Sequence, residues 1–244
     1  MDLDISARVE MAEEKIEAAC RRSGRKRQEI KLMGVTKKRS QEAVFSAWKA
    51  GIRLFGESRV QEAVGKFRDF YERHQISKGD GNAELHLIGS LQRNKAKMAA
   101  DFFDCIQSVD RDSLISELGA LTADREEPLN VLLEYHTGEE TKAGFPDMDS
   151  LFRAAANLFS FPGLRPIGLM TMAPFTTDAD LIRSSFRKLT HAAEELKKRF
   201  PAGAGSFENW SCLSMGMTND YEIAIEEGST LIRLGTAIFG EGGT

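Results

Sequence analysis

The chain has 244 residues, of which 41% are apolar and 29% are charged. This is the ordinary composition of a globular protein, and it excludes a wholly disordered chain. Lys and Arg together number 33 against 37 Asp and Glu, giving a net charge of −4, which argues against a general nucleic-acid-binding protein.

Apolar residues at helical spacing predict an amphipathic helix over residues 4–22. The basic sequence RRSGRKR follows it, in which Gly24 is a candidate C-cap. We interpret these basic residues as a solvated helix end, since no aromatic residues are interleaved with them, as a nucleic-acid-binding surface would have.

Short apolar runs then alternate with amphipathic segments. The predicted strands are 31–36, 52–55, 85–88, 105–108, 130–135, 165–171, 211–213 and 231–234. The predicted helices between them are 41–50, 59–74, 92–100, 111–123, 148–160, 179–200 and 219–226. This alternation indicates a parallel sheet, and eight strands are the number that closes a (β/α)8 TIM barrel.

We therefore predict an α/β protein in which residues 1–244 form a single TIM barrel domain with an extra N-terminal helix. The alternative is an open doubly wound sheet, but no G-x-G-x-x-G follows the first strand. Segment 77–83, with the sequence SKGDGNA, is predicted to be a surface loop.

Metal, membrane and export signals are weak. The three cysteines and four histidines match no zinc, HxH or HExxH pattern, so we expect reduced thiols and no metal site. The N-terminus lacks the apolar region of a signal peptide, and no apolar run reaches the roughly 18 residues of a membrane helix. We expect a cytoplasmic monomer with no nucleic-acid or membrane partner.

The end of the first strand carries the sharpest chemical signal, because active sites of α/β barrels lie at the carboxyl ends of the strands. Lys37 and Lys38 occupy this end, and a lysine in a barrel mouth suits a Schiff-base nucleophile. The alternative is a basic loop without function. Alternation puts the two lysines on opposite faces of the strand, and periodicity does not say which face points inward.

The ends of the last two strands carry a second signal. Ser214 follows strand seven and Gly235-Thr236 follows strand eight, where barrels commonly bind phosphate. Glycine allows close backbone approach and the hydroxyls add donors. Arg233, inside the last strand, needs an acceptor partner. Together with a lysine on strand one, these residues describe a pocket for a phosphorylated aldehyde.

The ordered motifs of the chain resemble the pyridoxal phosphate homeostasis protein family, which is similar in fold to the N-terminal barrel of alanine racemase. The segments that carry this resemblance, from about residue 30 to residue 240, are LMGVTKK, RLFGESRVQEAVGKF, LHLIGSLQRNKAK, IQSVDRDSL, TGEETKAGF, GLMTMAP and LSMGMTNDYEIAIEEGSTLIRLGTAIFG.

The resemblance implies a role for each candidate residue. Lys37 is implied as the residue that holds pyridoxal 5′-phosphate as a Schiff base, and Lys38 is not. Ser214, Gly235 and Thr236 are implied as the phosphate cradle. Arg233 is implied to face the pyridine nitrogen, where a cation keeps that nitrogen unprotonated and weakens the ring as an electron sink.

The sequence departs from the family pattern at three places. In the usual FGEN-Y motif, Ser58 replaces the asparagine, and Ser90 replaces the histidine that follows I-G. The usual N-T-S-G-E motif becomes Tyr135-His136-Thr137-Gly138-Glu139. These changes affect the expected contacts to the ring and to bound amino acids, not those of the lysine or the phosphate.

Three functions are compared on this basis. The favoured function is a protein that binds the cofactor without catalytic turnover and has no catalytic residue. Its expected partners are the cofactor, amino acids and cofactor-dependent apo-enzymes. The second is an amino acid racemase, which in this fold takes its opposing tyrosine base from an additional β domain; we expect that domain to be missing, since the sequence ends after the last strand. The third is a cofactor-free Schiff-base aldolase that uses Lys37.

Overall fold

The computed structural model describes residues 4–77, 81–138, 143–201 and 210–241. Its strands are β1 (Lys31–Val35), β2 (Leu54–Glu57), β3 (Glu84–Leu87), β4 (Cys105–Val109), β5 (Leu129–Glu134), β6 (Leu164–Met170), β7 (Cys212–Ser214) and β8 (Leu231–Leu234). They pair in parallel in chain order, and β8 pairs with β1 to close the barrel. The predicted TIM barrel is confirmed, and the open doubly wound sheet is excluded.

Helices surround this barrel. In the described residues they are α1 (Ile5–Ser23), α2 (Gln41–Lys49), α3 (Val60–His74), α4 (Ala96–Phe102), α5 (Asp112–Leu121), α6 (Met148–Leu158), α7 (Ala179–Arg199), α8 (Tyr221–Glu226) and α9 (Thr236–Phe239). One helix follows each strand, and α1 precedes the barrel, so the additional N-terminal helix is also confirmed.

The extra helix α1 is delimited by the caps that its sequence provides. The Asp4 side chain accepts a hydrogen bond from the Ala7 N–H at 2.8 Å, and Gly24 ends the helix in the left-handed conformation with φ 68°. Its buried face packs against α2, α8 and α9. The helix therefore covers the seam where the first and last βα units meet.

Several elements differ from the sequence-based prediction. Strand β2 extends to Glu57 because this carboxylate, which reads as a loop residue, is buried against the Lys66 ammonium. The predicted helix 92–100 begins instead as a 3-10 turn over Arg93–Lys95 and continues as α4. The short helix α9 was not predicted, and the loop 77–83 lies partly outside the described residues.

The core has two layers, separated by the sheet. The larger layer lies between the strands and the helices, and it includes Leu32 and Leu234. Smaller clusters join residues of opposite alternation, such as Met33 with Leu54 and Leu231. These clusters fill the barrel lumen. They show which residues point inward, and along each strand these residues alternate with residues that point outward.

In the described part of the chain, no helix has both the length and the apolar character needed to cross a bilayer. Nor do its histidines, cysteines and carboxylates form a group of three or more with the arrangement of a metal site. The cysteines Cys20, Cys105 and Cys212 are free thiols. Burial raises the pKa of the Cys212 thiol to about 11, so it is protonated at neutral pH.

Candidate functional site

Strand β1 brings Lys37 to the mouth of the barrel. Met33 packs in the lumen, where its Sδ lies 2.6 Å from the position that a Cβ on Gly56 would take. Alternation therefore puts Val35 on the lumen side of the strand. Lys37 lies two residues beyond the end of β1, in the turn that follows it, and its side chain is exposed.

A buried ionic cluster supports the backbone beside Lys37. The Thr36 hydroxyl donates to Glu57 Oε1 at 2.7 Å, on the outer side of the sheet. The Lys66 ammonium donates to the Thr36 carbonyl at 2.7 Å, to Glu57 Oε1 at 2.8 Å and to Glu62 Oε1 at 3.2 Å. Burial raises the pKa of Glu57, although Lys66 and Thr36 act in the opposite direction. We call Thr36, Glu57, Glu62 and Lys66 the anchor cluster.

Lys38 has a structural position in the turn that follows β1. Its φ of 59° is in the left-handed region, and its backbone N–H donates to Glu62 Oε1 at 2.7 Å. The anchor cluster thus fixes the chain on both sides of Lys37, while the Lys38 side chain is exposed.

Arg233 lies on the inward face of β8 and is only 4% exposed. Its Nη1 donates to the Ser214 carbonyl and hydroxyl, both at 2.7 Å, and its Nη2 donates to the Thr171 carbonyl at 2.8 Å. Burial lowers the pKa of Arg233 to about 10, although Asp220 and Glu134 act in the opposite direction. Arg233 is therefore a fixed cation at neutral pH, and it has the acceptor partners that the sequence analysis required.

Ser214 lies deeper than the predicted phosphate cradle. Its side chain is fully buried in the lumen, where the hydroxyl accepts from Arg233 and donates to Gln107 Oε1 at 2.6 Å. The hydroxyl therefore uses its single proton in the bond to Gln107 and accepts a hydrogen bond from Arg233. The structure does not bring Ser214 together with Gly235 and Thr236 as a donor to one ligand; it places Ser214 beneath Arg233.

Thr218 takes the position beside Gly235 and Thr236 that was expected for Ser214. Its hydroxyl lies 3.2 Å from the Thr236 hydroxyl and accepts from the Ala237 N–H at 3.3 Å. Among the described residues, the backbone N–H groups of Gly235 and Thr236 donate to no acceptor, as is usual for the first N–H groups of a helix. Two free N–H groups and two hydroxyls form a donor set suited to an anion.

Glu134, which the sequence analysis missed, is a second titratable group near Arg233. It lies on the lumen face of β5 and is 4% exposed. Burial raises its pKa to about 7, helped by Asp110 and opposed by Arg233. A buried carboxyl close to Arg233 that titrates near neutral pH gives the site a charge that depends on pH.

We expect Glu134→Gln to stabilise the protein above pH 7 and to have little effect near pH 4.5. The folded pKa of about 7 lies above the usual 4.5, so the stability that protonation provides is complete below 4.5 and is lost as the pH rises through 7. The difference of 2.5 units corresponds to at most about 3 kcal/mol. Thermal unfolding across this pH range measures it, and a variant that is less stable than the wild type at alkaline pH contradicts it.

The three departures from the family pattern lie around the same mouth. Ser58 and His136 are half-buried and Ser90 is exposed. A Cβ on Gly89 would lie 2.3 Å from the Ser58 carbonyl oxygen, so this position requires glycine. Residues 139–142 of the segment TGEETKAGF lie outside the described residues.

Comparison with known proteins decides the family. The family model of the alanine racemase N-terminal domain matches residues 12–242. A pyridoxal phosphate homeostasis protein of Vibrio cholerae is 36% identical over 239 residues, which cover 97% of this chain and 96% of that protein. This chain belongs to the pyridoxal phosphate homeostasis protein family. The resemblance drawn from the sequence motifs is confirmed.

Solved structures agree with this family. PipY of Synechococcus elongatus, in a structure with PLP bound, is 30% identical with a TM-score of 0.77, and the match covers 93% of this chain and all of PipY. An alanine racemase of Clostridium difficile has a TM-score of 0.70 at 11% identity, covering 95% of this chain and 56% of the racemase. At that identity the racemase shows only that the barrel fold is shared.

Proposed function

We propose that this protein binds pyridoxal 5′-phosphate at the carboxyl end of its barrel and takes part in the homeostasis of that cofactor, without catalytic turnover. Membership of the family supports the proposal, as does the PLP-bound structure of PipY. We further propose that residues 1–244 act as a single binding domain.

The observation that carries this proposal is the pairing of a free donor set with a buried cation. The N–H groups of Gly235 and Thr236, with the hydroxyls of Thr236 and Thr218, match the oxygens of a phosphate. Arg233 precedes Gly235 by two residues and lies on the inward face of β8. Its guanidinium is a suitable donor for a ring nitrogen that accepts a hydrogen bond.

Lys37 completes the proposed site. Pyridoxal 5′-phosphate would supply an aldehyde at this site, and Lys37 would be the amine that holds it. The anchor cluster holds the chain on both sides of this amine. Arg233 pairs with Met33 of the neighbouring strand β1, and Lys37 follows the end of β1 by two residues, so we propose that one small molecule contacts both side chains.

Arg233 also supports the absence of turnover. A guanidinium only donates hydrogen bonds, so a ring nitrogen facing Arg233 accepts a hydrogen bond from it and carries no proton of its own. An unprotonated pyridine nitrogen makes the cofactor ring a weaker acceptor of the electrons of a carbanion. The site is thus better suited to holding the cofactor than to stabilising a carbanion.

Titration of the purified protein with pyridoxal 5′-phosphate tests the binding. We expect saturation at one cofactor per chain with a new visible absorption band. The absence of saturable binding would overturn the proposed function.

We expect holo-protein incubated with L-alanine in deuterated water to give no D-alanine at ordinary enzymatic rates of about 1 s⁻¹ or more. Chiral chromatography detects the D-isomer, and mass spectrometry detects α-deuterium. Slow deuteration without inversion fits a single base, Lys37. Racemisation at about 1 s⁻¹ that disappears in Lys37→Ala would instead favour a racemase.

The phosphate cradle makes a separate prediction. Thr218→Val removes one hydroxyl with little change of shape, and we expect it to weaken cofactor binding about ten-fold to a hundred-fold. Thr218→Ser is the matched control that keeps the hydroxyl. Pyridoxal, which lacks the phosphate, should bind wild type and variant equally weakly. Equal affinity of the wild type for both vitamers contradicts the cradle.

A further inference from the structure

A line of buried hydrogen bonds crosses the lumen beneath the proposed site. It runs from Arg233 to the Ser214 hydroxyl at 2.7 Å, from that hydroxyl to Gln107 Oε1 at 2.6 Å, and from Gln107 Nε2 to His86 Nδ1 at 2.8 Å. These side chains come from β8, β7, β4 and β3, and none is more than 6% exposed. We call Arg233, Ser214, Gln107 and His86 the lumen relay.

The chemistry of Arg233 fixes the direction of every proton in the lumen relay. A guanidinium only donates, so the Ser214 hydroxyl accepts from Arg233 and must give its single proton to Gln107 Oε1. The Gln107 amide nitrogen then donates to His86 Nδ1. A neutral His86 therefore carries its proton on Nε2, which lies 3.7 Å from Glu84 Oε2.

The reversed order is incompatible with these contacts. If the Gln107 amide were turned over, its nitrogen and the Arg233 Nη1 would both donate to the Ser214 hydroxyl. The Ser214 proton would then have no acceptor in the positions that the structure gives, and a buried unsatisfied donor is costly. The relay therefore has one favourable arrangement, set from the Arg233 end.

We infer that Gln107 and His86 are positioning residues, which hold the Arg233 guanidinium through Ser214 so that it faces the ring nitrogen of the bound cofactor. This inference rests on the proposed function for its ligand, but the proton order of the relay does not. Without Gln107, the Ser214 hydroxyl is free to rotate, and the side-chain anchor of Arg233 at Nη1 loses its fixed direction.

Nitrogen NMR of the cofactor-free protein tests the proton order directly. With the imidazole side chains labelled, we expect the neutral form of His86 to carry its proton on Nε2. Gln107→Glu keeps the bond from Ser214 and replaces the amide donor with a carboxylate oxygen, so we expect the His86 proton to move to Nδ1. A wild-type His86 that carries its proton on Nδ1, or an unchanged tautomer in Gln107→Glu, overturns the relay.

Cofactor analogues test the positioning role. Gln107→Leu should weaken the binding of pyridoxal 5′-phosphate about ten-fold, while the 1-deaza analogue, which has carbon in place of the ring nitrogen, should bind wild type and variant equally. Gln107→Glu should restore the affinity for pyridoxal 5′-phosphate. Cys105→Ala, another inward-facing substitution outside the relay, is the matched control.

Equal losses of both ligands in Gln107→Leu would show a general structural defect and overturn the positioning role. If Gln107→Leu does not fold, Ser214→Ala breaks the relay at its other end, and the same two ligands are compared. If the wild type binds neither ligand, the proposed function fails, whereas the NMR result on the relay stands by itself.

Discussion

Replacing Lys37 with Ala is expected to abolish covalent attachment of pyridoxal 5′-phosphate, because Lys37, just beyond the carboxyl end of β1, is the proposed attachment amine. Borohydride treatment of loaded wild-type protein, followed by peptide mapping, should place one adduct on Lys37. In Lys37→Ala the adduct and the visible absorption band should fall to background. The phosphate donors at Gly235 and Thr236 are separate from Lys37, so reversible binding should persist.

Lys38→Ala is the matched control for that experiment. It removes an equal charge from the next residue, whose backbone N–H, not its side chain, has the structural contact with Glu62. We expect this variant to keep the adduct and the absorption band. An adduct on Lys38, or no adduct on saturated wild-type protein, contradicts the assignment.

The sequence predicted the barrel and the order of its strands and helices. Strand and helix periodicity and the glycines that follow the strands are properties of short segments, and so is the adjacency of Arg233 to Gly235-Thr236. The inward face of β1 was not predictable, because both faces of a barrel strand are buried. It follows from Met33, whose contacts with Leu54 and Leu231 define the lumen.

The remaining parts of the site depend on contacts between distant segments. Gln107 and Ser214 are 107 positions apart, and nothing in either segment indicates that they meet across the lumen. Strand β7 has only three residues. Ser214 in this strand points into the lumen, whereas Thr218, only four residues later, lies in the proposed phosphate cradle. The hydroxyl at Thr218, two residues after Gly216, was the available signal.

The anchor cluster was also hidden from the sequence. Glu57 reads as a loop residue and Lys66 as the polar face of a helix, yet their side chains are 0% and 8% exposed. A pair of opposite charges that is buried only in the folded barrel leaves no trace in local periodicity. Its position beside Lys37 nevertheless ties the stability of the fold to the geometry of the proposed site.

Removing Lys66 is therefore expected to have the largest effect on stability. Lys66→Met leaves the Glu57 carboxylate buried without its cation, and Glu57 Oε2 already has no hydrogen-bond partner among the described residues. Breaking one side of a buried pair costs about 3–5 kcal/mol. For a chain of this length the melting temperature should fall by on the order of 10 °C. Thermal and denaturant unfolding of the cofactor-free protein measure the change.

The double variant Lys66→Met with Glu57→Gln separates charge from packing. A glutamine at this position still offers Oε1 to the Thr36 hydroxyl but carries no charge, so we expect most of the lost stability to return. The loss in Lys66→Met should also shrink as the pH falls, because burial raises the pKa of Glu57 and protonation removes the unpaired charge. A loss of stability that is independent of pH and equal in the single and double variants would mean that Lys66 acts through packing alone. The turn at Lys37 would then not depend on the charge of Glu57.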